Sequence, residues 1–572
     1  MRLEPNAERE FNLLLDTAAV YWRKNILPPS GRAYIVAEAL HDDIRVTLRN
    51  LTVANALRRL IPAHLVVLTG ADETWQQALN HKLDVDRVAQ FAEAYGATEV
   101  FDLHALVDHY LAAEGREEIQ LSVAGYELPR PPRIPPITPA ALEQNTVATL
   151  CRLDLVPRLK EGWQTDPAYL ARRRRGALLS AIYDHLLGSG HAVAFVTSHV
   201  DYDQWGLGVL AAQRAGVPVI NPQSTGSLKA YTLFPEAAQG EPTFRAELTR
   251  QIGVAFERDV WANRHRLRSR AELVAWRAKG NFGRPSWWRA GARATLELSN
   301  ATERRQLRVH AAARFGLDPD RPTIAVFNHA VSDALWTNRE IFANLADWFE
   351  QTVAFASITR HVNWLLLDHP SQVRYDRTNF FGNLAERYAD QPHMVFRPSA
   401  TISKNLLWSL IDLGVTVRGS VSNELPAYGI PVIQAGWSEW SDCGLSLVAS
   451  DQTDYWRLLG TAIDSLLAGQ PVITPEQVER ARLWLWFYRS ATDVTSALVP
   501  HWDVWPTPYL LRTLRVHMAQ VESDGEPVFS AVERMWRERE PFLTRYPLRH
   551  LAADDRTAHS SEAAHEHPSI LV

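Results

Sequence analysis

Cysteine is nearly absent: the 572-residue chain holds only Cys151 and Cys443. Two residues so far apart exclude a disulfide framework and a cysteine zinc site, and they fit a reducing compartment. An excess of positive charge is also missing. The net charge is -5, whereas a nucleic-acid binder carries a strongly basic domain, so no nucleic-acid partner is expected. No apolar run reaches the ~18 residues that span a bilayer. The opening MRLEPNAEREFNLLL lacks a basic region followed by an apolar stretch, so no signal peptide is expected. The expectation is a cytoplasmic protein, soluble or at most peripheral to a membrane. No repeat of about 20–50 residues argues for a solenoid. There is no G-x-S-x-G elbow, no P-loop lysine and no G-x-G-x-x-G after the first strand, which argues against serine hydrolases, P-loop kinases and ordinary dehydrogenases. His329, Asp333 and His369 could be assembled into a metal site on paper, but no ligand-dense His/Cys/Asp/Glu cluster stands out, so no metal is expected; no cofactor is expected either.

What is present is the balance of a globular protein, 46% hydrophobic and 22% charged. Short β-branched runs alternate with longer helical stretches, the pattern of parallel sheets covered by helices on both faces. Helix is expected at 7–24, 50–60 and 84–95, and strand at 33–38, 64–69 and 98–102. The proline-dense stretch 128–139 can continue neither element and reads as an extended connector. Alternation resumes with helix 167–187, strand 192–197, helix 205–215 and strand 217–220; residues 241–317 read as helical, without a convincing strand. A second unit follows, with strands at 323–327, 363–367, 394–396, 414–417 and 431–434 and helices at 338–355 and 401–411. The chain is mostly helical after 453, and 551–572 reads as a disordered tail. The fold class is therefore α/β: two tandem Rossmann-like, doubly wound domains facing a cleft, with a helical C-terminal segment. The expected divisions are an acceptor-side domain over 1–317, a donor domain over 318–470 and a helical segment over 471–550 packing back on both. In such sheets ligands sit beyond the carboxyl ends of the strands.

Four segments follow strands and carry polar groups that a connector does not need. After TIAVF, residues 328–336 place His329 and Asp333 four apart, sharing a face if the turn is helical. That pair could bind phosphate or relay a proton; otherwise it is a helix cap. After NWLLL comes Asp368-His369-Pro370, and the proline biases the histidine toward an extended backbone. In 418–433, Gly419, Ser420 and Ser422 lead into a short helix, a cradle for phosphate or simply a capping box, with Glu424 placed for a ribose or sugar hydroxyl. After VAFVT, residues 198–206 offer His199, Asp201, Tyr202 and Asp203; Asp42 and Asp43 stand likewise after the first strand. Each is a candidate base or a cap. The basic run Arg172 to Arg175 reads as a solvated helix face or a contact for an anionic lipid or glycan. Twenty tryptophans are many, shared between core and the stacking of sugars.

Strand–H-x-x-x-D, then W-L-x-x-x-H-P, then G-S-x-x-x-E with a G-x-P-V-I strand resembles bacterial capsular and surface polysaccharide biosynthesis proteins with a B-type glycosyltransferase fold, including capsule Kdo transferases and bacterial sialyltransferases. The likeness covers roughly residues 320–460, and more loosely the 198–206 segment and the strand 216–220. The resemblance implies a nucleotide-sugar donor, a CMP-sugar favoured, held by His369, Ser420, Ser422 and Glu424; from the residues themselves Gly419 joins that donor cradle, His329, Asp333 and Asp201 are the candidate catalytic groups, and His199 and Tyr202 stand on the substrate side. It implies a glycan or lipid-linked glycan acceptor, contact with the inner membrane or an assembly complex, and chemistry without a metal. Two departures stand out. Asp368 occupies a place where a basic or neutral residue is common, and must point away or raise the pKa of His369; Pro426 stands where alanine is usual. The rival readings are a polyol-phosphate transferase, a nucleotide-sugar epimerase and a non-catalytic glycan-binding subunit.

Overall fold

The computed structural model describes residues 7–550 except 42, 80–82, 114, 130–133, 225–227, 238–243, 272–300, 336–338, 500–506 and 521–524. The expected tail, Asp42 and part of the 241–317 stretch lie outside the described residues.

The first sheet contains β1 (Tyr34–Glu38), β2 (His64–Thr69) and β3 (Glu99–Asp102). A two-stranded hairpin follows, β4 (Ser122–Val123) and β5 (Tyr126–Glu127). The sheet resumes with β6 (Ala192–Val196), β7 (Val219–Ser224) and β8 (Leu228–Leu233), in the order β3-β2-β1-β6-β7-β8. Every pairing is parallel except β7 with β8. The second sheet contains β9 (Thr323–Phe327), β10 (Asn363–Leu367), β11 (Met394–Arg397), β12 (Leu413–Thr416), β13 (Val432–Gln434) and β14 (Leu447–Val448). Its order is β11-β10-β9-β12-β13-β14, parallel throughout. All residues of β1, β10 and β12 are buried, as continuous apolar runs covered on both faces must be. Both sheets therefore have the same winding, and each reverses its strand order once: between β1 and β6, and between β9 and β12.

The differences from expectation have local causes. The second helix runs Ile44–Arg58, starting six residues earlier than its apolar pattern suggests. Its first half buries Thr47, Arg49, Asn50 and Thr52, which hide the periodicity, and Asp43 caps it by accepting from the Arg45 N–H at 2.9 Å. The helix expected at 338–355 runs Leu345–Ile358, because Asn344 caps it through the Asp347 N–H at 2.8 Å. Strand β8 escaped notice because it is the return arm of a hairpin; its outer edge is covered by bridges Leu228–Val494 and Tyr231–Phe542. Strand β14 has two residues, too few for a pattern. Gly216 closes helix Leu207–Ala215 at φ +68° and turns the chain into β7.

One apolar cluster runs from Val36, Val66 and Leu179 through Trp75 and Trp205 to Val331, Val353 and Trp484, joining the two units. A second lies on the other face of the first sheet, where helices Thr507–Gln520 and Pro527–Glu538 pack on Glu8–Asn25 and Ile44–Arg58. A third lies under helix Ala301–Phe315, whose Ala311, Ala312 and Phe315 join Leu365, Leu367 and Trp408 of the second unit. The expected division at 317 therefore cuts away a helix whose apolar face belongs to the second sheet. Trp22, Trp348, Trp364, Trp408, Trp440, Trp484 and Trp486 are fully buried, so these tryptophans are core. Among the described residues no helix is long and apolar enough to cross a membrane.

Helix Pro475–Trp486 opens with a reciprocal cap. Thr474 Oγ1 accepts from the Gln477 N–H at 3.2 Å, and Gln477 Oε1 accepts from the Thr474 N–H at 3.0 Å. Thr474→Ala removes the first bond and is expected to cost about 1 kcal/mol. The midpoint of urea unfolding checks it, and an unchanged midpoint would show the cap to be idle.

Candidate active site between the two sheets

The reversal points place the loops after β1 and β6 and those after β9 and β12 where open α/β sheets bind ligands. In the first unit Glu38, the last residue of β1, is fully buried. It accepts from the Ser198 N–H at 2.6 Å, from the Leu40 N–H at 2.9 Å and from Asn50 Nδ2 at 3.0 Å. Thr197 Oγ1 donates to the His199 carbonyl at 2.7 Å. These bonds fix the turn that presents His199, Asp201 and Tyr202.

His199 lies against Tyr202 and Trp205, with ring centroids 5.3 and 5.1 Å away, yet its side chain keeps 40% exposure. Its Nδ1 accepts from the N–H groups of Val200 and Asp201, both at 3.2 Å, which places the neutral ring's proton on Nε2. Burial holds the imidazole below its ordinary value against the pull of Asp201. Asp201 was expected as a catalytic base, and its surroundings correct that. Arg245 Nε meets Oδ1 at 2.9 Å and Arg245 Nη2 takes Oδ2. Burial would raise this carboxyl, but Arg245 outweighs it and holds the carboxyl far below the carboxylate range. A carboxylate clamped in this way orients its neighbours and does not collect protons. Tyr202 has a left-handed backbone, φ +67°, and its hydroxyl is engaged across the cleft. It donates to Asp333 Oδ1 and accepts from the Ala334 N–H, both at 2.9 Å.

In the second unit, residues 328–335 form turns and not the helix that would pair His329 with Asp333; Ala334 stands at φ +46°. His329 instead stacks on His369, with centroids 5.7 Å apart and planes at 27°. His329 Nδ1 lies 3.4 Å from the Ala330 carbonyl, an acceptor, which assigns the proton to Nδ1 and leaves a lone pair on Nε2. Burial, then Arg418 and His369, push this imidazole well below the usual range, so it is neutral at pH 7. His369 has the opposite tautomer: Nδ1 accepts from the Ser371 N–H at 3.2 Å and Nε2 carries the proton. Its pKa is lowered by burial, with Asp333 opposing. Asp368 points away, its Oδ1 accepting from the Ser399 N–H at 2.7 Å.

The segment after β12 differs from the expected cradle. Its helix has one turn, Val421–Glu424, continued by a tighter turn over Leu425–Tyr428, too short for an appreciable dipole. Ser422 is fully buried, and its hydroxyl donates to the Gly419 carbonyl at 2.8 Å while accepting from Trp440 Nε1 at 2.9 Å. Ser422 supports the loop and has no hydroxyl left for a phosphate. Ser420 makes no cap bond and stays half-buried. At Gly419 a side chain would begin 2.8 Å from Thr416 Oγ1, so the backbone approaches closely there. Glu424 pairs with Lys404 Nζ at 2.5 Å, and Arg489 Nη2 lies 3.8 Å from its other oxygen.

Four charged residues of the cleft, Arg418, Arg245, Arg339 and Glu439, were not among the expected site residues. Arg418 donates to the carbonyls of Asp333 and Ala334 at 2.9 and 3.0 Å and pairs with Glu340. Arg245 and Arg339 reach Glu439 Oε1 at 3.1 and 3.6 Å. Arg418 follows a strand directly and was legible by that rule; Arg245, Arg339 and Glu439 carry no such mark. The run Arg172 to Arg175 also needs correction. Arg172, 6% exposed, points inward to Asp72 and Asp203, and Arg175 joins Asp72 and His104. Half of the run is therefore a buried network beneath the 202–206 turn. Asp43 is the helix cap described above. Among the described residues no group of three or more His, Cys, Asp or Glu could hold a metal ion.

No protein-family model and no curated protein matches the chain. Among solved structures it is similar to a glycosyltransferase from Rickettsia africae ESF-5, at 8% identity over 86% of this chain and 100% of that one, TM-score 0.28. It is also similar to the UDP complex of S. aureus MnaA, at 11% identity over 78% and 91%, TM-score 0.26. A third is the UDP-GlcNAc 2-epimerase from Neisseria meningitidis bound to UDP-GlcNAc, at 11% identity over 85% and 98%, TM-score 0.23. The strand orders themselves establish the architecture: two Rossmann-type units in tandem, facing a cleft and followed by helices that return to the first unit, as in the B-type glycosyltransferase fold.

Proposed function

We propose that this chain transfers a sugar from a nucleotide-activated donor to a glycan or lipid-linked glycan acceptor of the bacterial surface, acting on the cytoplasmic side of the membrane. The observation that carries the reading is the meeting of two strand-reversal points, with His199 and Tyr202 from one unit facing His329, Asp333 and His369 from the other. A CMP-sugar is favoured by the His369-Pro370 likeness to enzymes that use such donors.

The tautomers divide the work. His369 offers an Nε2–H to an oxygen of the donor phosphate, and the half-buried Ser420 hydroxyl is placed to assist. His329 offers a lone pair at Nε2. The acceptor hydroxyl gives its proton to His329 as its oxygen bonds to the anomeric carbon. The bond from that carbon to the phosphate oxygen breaks, and the electron pair leaves with the nucleotide. Donors fixed in advance at the developing charge are worth a few kcal/mol each. Asp333, held by Tyr202, is near enough to act electrostatically on both His199 and His369. In this reading His369 and Ser420 meet the phosphate charge without a metal.

The test is a thermal-shift panel of CMP, CDP, UDP, GDP and dTDP on the native chain, Ser420→Ala and His369→Ala. A nucleotide at ~100 times its Kd stabilises the native state by about 2.7 kcal/mol. One nucleotide is expected to shift the native chain and neither variant. No shift with any of them would overturn the reading. Release of nucleotide from the matching donor only when acceptor is present separates transfer from epimerisation.

A further inference from the structure

Arg489 belongs to the wide helical turn Phe487–Ala491 that follows helix Pro475–Trp486, where the chain crosses from the second unit back to the first. Both units hold this turn. Lys229 on β8 donates to the Tyr488 carbonyl, and to Thr492 Oγ1 at 3.0 Å. Tyr488 stacks on Trp484 with planes at 12°. The arginine so placed is 7% exposed. Its guanidinium makes no hydrogen bond among the described residues; the one ion pair it forms, to Glu424 Oε1 at 3.8 Å, lies beyond hydrogen-bond range. The other oxygen of Glu424 is taken by Lys404. Lys404 and Arg489 thus set two positive charges around one carboxylate. The N–H donors of this nearly buried guanidinium are therefore not used by the described residues, which leaves them able to meet oxygens that a ligand supplies. Planar, forked donors match a phosphate. Nothing in the sequence pattern marks this position, because it lies far from the strand-following loops.

We propose that Arg489 is a phosphate-binding residue of the donor site, supplied by the returning segment, and that it grips the nucleotide phosphate beside Glu424. This rests on the donor-site reading above. It deepens that reading by giving the C-terminal segment a ligand contact of its own: the cleft is complete only when this segment is docked on both units.

The experiment measures Kd by calorimetry for CMP, cytidine and inorganic pyrophosphate on the full chain, Arg489→Gln and Arg489→Lys, with melting curves as the fold control. Arg489→Gln leaves Glu424 paired with Lys404. It is expected to weaken CMP and pyrophosphate about 10- to 100-fold and cytidine less than about two-fold, with Arg489→Lys in between. Equal CMP affinity in the native chain and Arg489→Gln would overturn the role of Arg489 while leaving the donor site standing. Equal weakening of CMP and cytidine would also overturn it, since the loss would then lie outside the phosphate. Pyrophosphate binding that depends on Arg489, without binding of any nucleotide in the panel, would uphold the anion contact and sink the nucleotide reading. Absence of all binding would sink both. If Arg489→Gln does not fold, the same comparisons are read from Arg489→Lys.

Discussion

Replacing His329 by alanine is expected to lower kcat by about 10²- to 10⁴-fold, the range for loss of a positioned acid–base group, while the melting temperature moves little. Of the three cleft histidines it alone has its hydrogen bond to a carbonyl, leaving Nε2 unprotonated. The pH profile follows from the direction of its shift. Burial, then Arg418 and His369, hold the imidazole well below 6.5, so the base form persists through neutral pH. The acid limb of kcat/KM should therefore fall below the ordinary imidazole range, and it should vanish in His329→Gln. Retained kcat in His329→Ala would remove this residue from the mechanism and leave Asp333 as the base to test. In the proposed transfer, the phosphate oxygen that gains charge as its bond to the anomeric carbon breaks would supply the counter-charge that makes so weak a base adequate. A substrate-free titration of His329 by NMR should accordingly give a lower pKa than one with nucleotide bound.

Arg172→Met is expected to destabilise the chain by about 3–5 kcal/mol, the cost of stranding a buried charge. Arg172 lies in helix Pro167–Leu187, and its guanidinium meets Asp203 at 2.9 Å and Asp72 at 3.0 Å. Asp203 is 1% exposed and also accepts from the Gln204 N–H at 2.7 Å. Removing the cation leaves the buried Asp203 carboxylate without its arginine, with Arg175 still on Asp72, and it frees the turn that carries Tyr202. Unfolding by urea, followed at one pH, checks the magnitude; a loss below about 1 kcal/mol would mean that solvent reaches the carboxylates, as at a surface pair. The same network sets an acid limit. Burial would raise the Asp72 carboxyl, but Arg172, His104 and Arg175 outweigh it, so its folded pKa lies below its unfolded one. Its contribution is present above about pH 4 and is lost as pH falls through the folded value. His104 is lowered by burial. Its neutral form is therefore the folded one, and stability begins to decline below about pH 6.5. In Arg172→Met Asp72 keeps Arg175 but loses one of its two arginines, so protonating it should cost less stability than in the native chain.

The sequence by itself determined the two sheets and their alternation with helices. HLVVLT, TIAVF and NWLLL are runs that only a strand buried on both faces can use, and they sit in the structure at 64–69, 323–327 and 363–367 as expected. It also marked His199, His329 and His369, because a polar residue directly after such a strand is visible in the order of residues. What only the tertiary structure decided is how those groups are used. The tautomers of the three histidines depend on which backbone group each ring happens to meet. The clamping of Asp201 by Arg245 joins residues 44 apart, and the approach of Tyr202 to Asp333 joins residues 131 apart. The run Arg172 to Arg175 looks like a solvated face because its inward partners, Asp72 and Asp203, come from other loops. Helix Ile44–Arg58 hid its first half because buried polar residues erase the apolar period, and Arg489 sits on a crossing segment whose neighbours are set by β8 and Glu424. Local propensity and burial pattern are written along the chain. Charge pairing, tautomer choice and the closing of a cleft are properties of distant residues brought within a few ångströms, which no local pattern records.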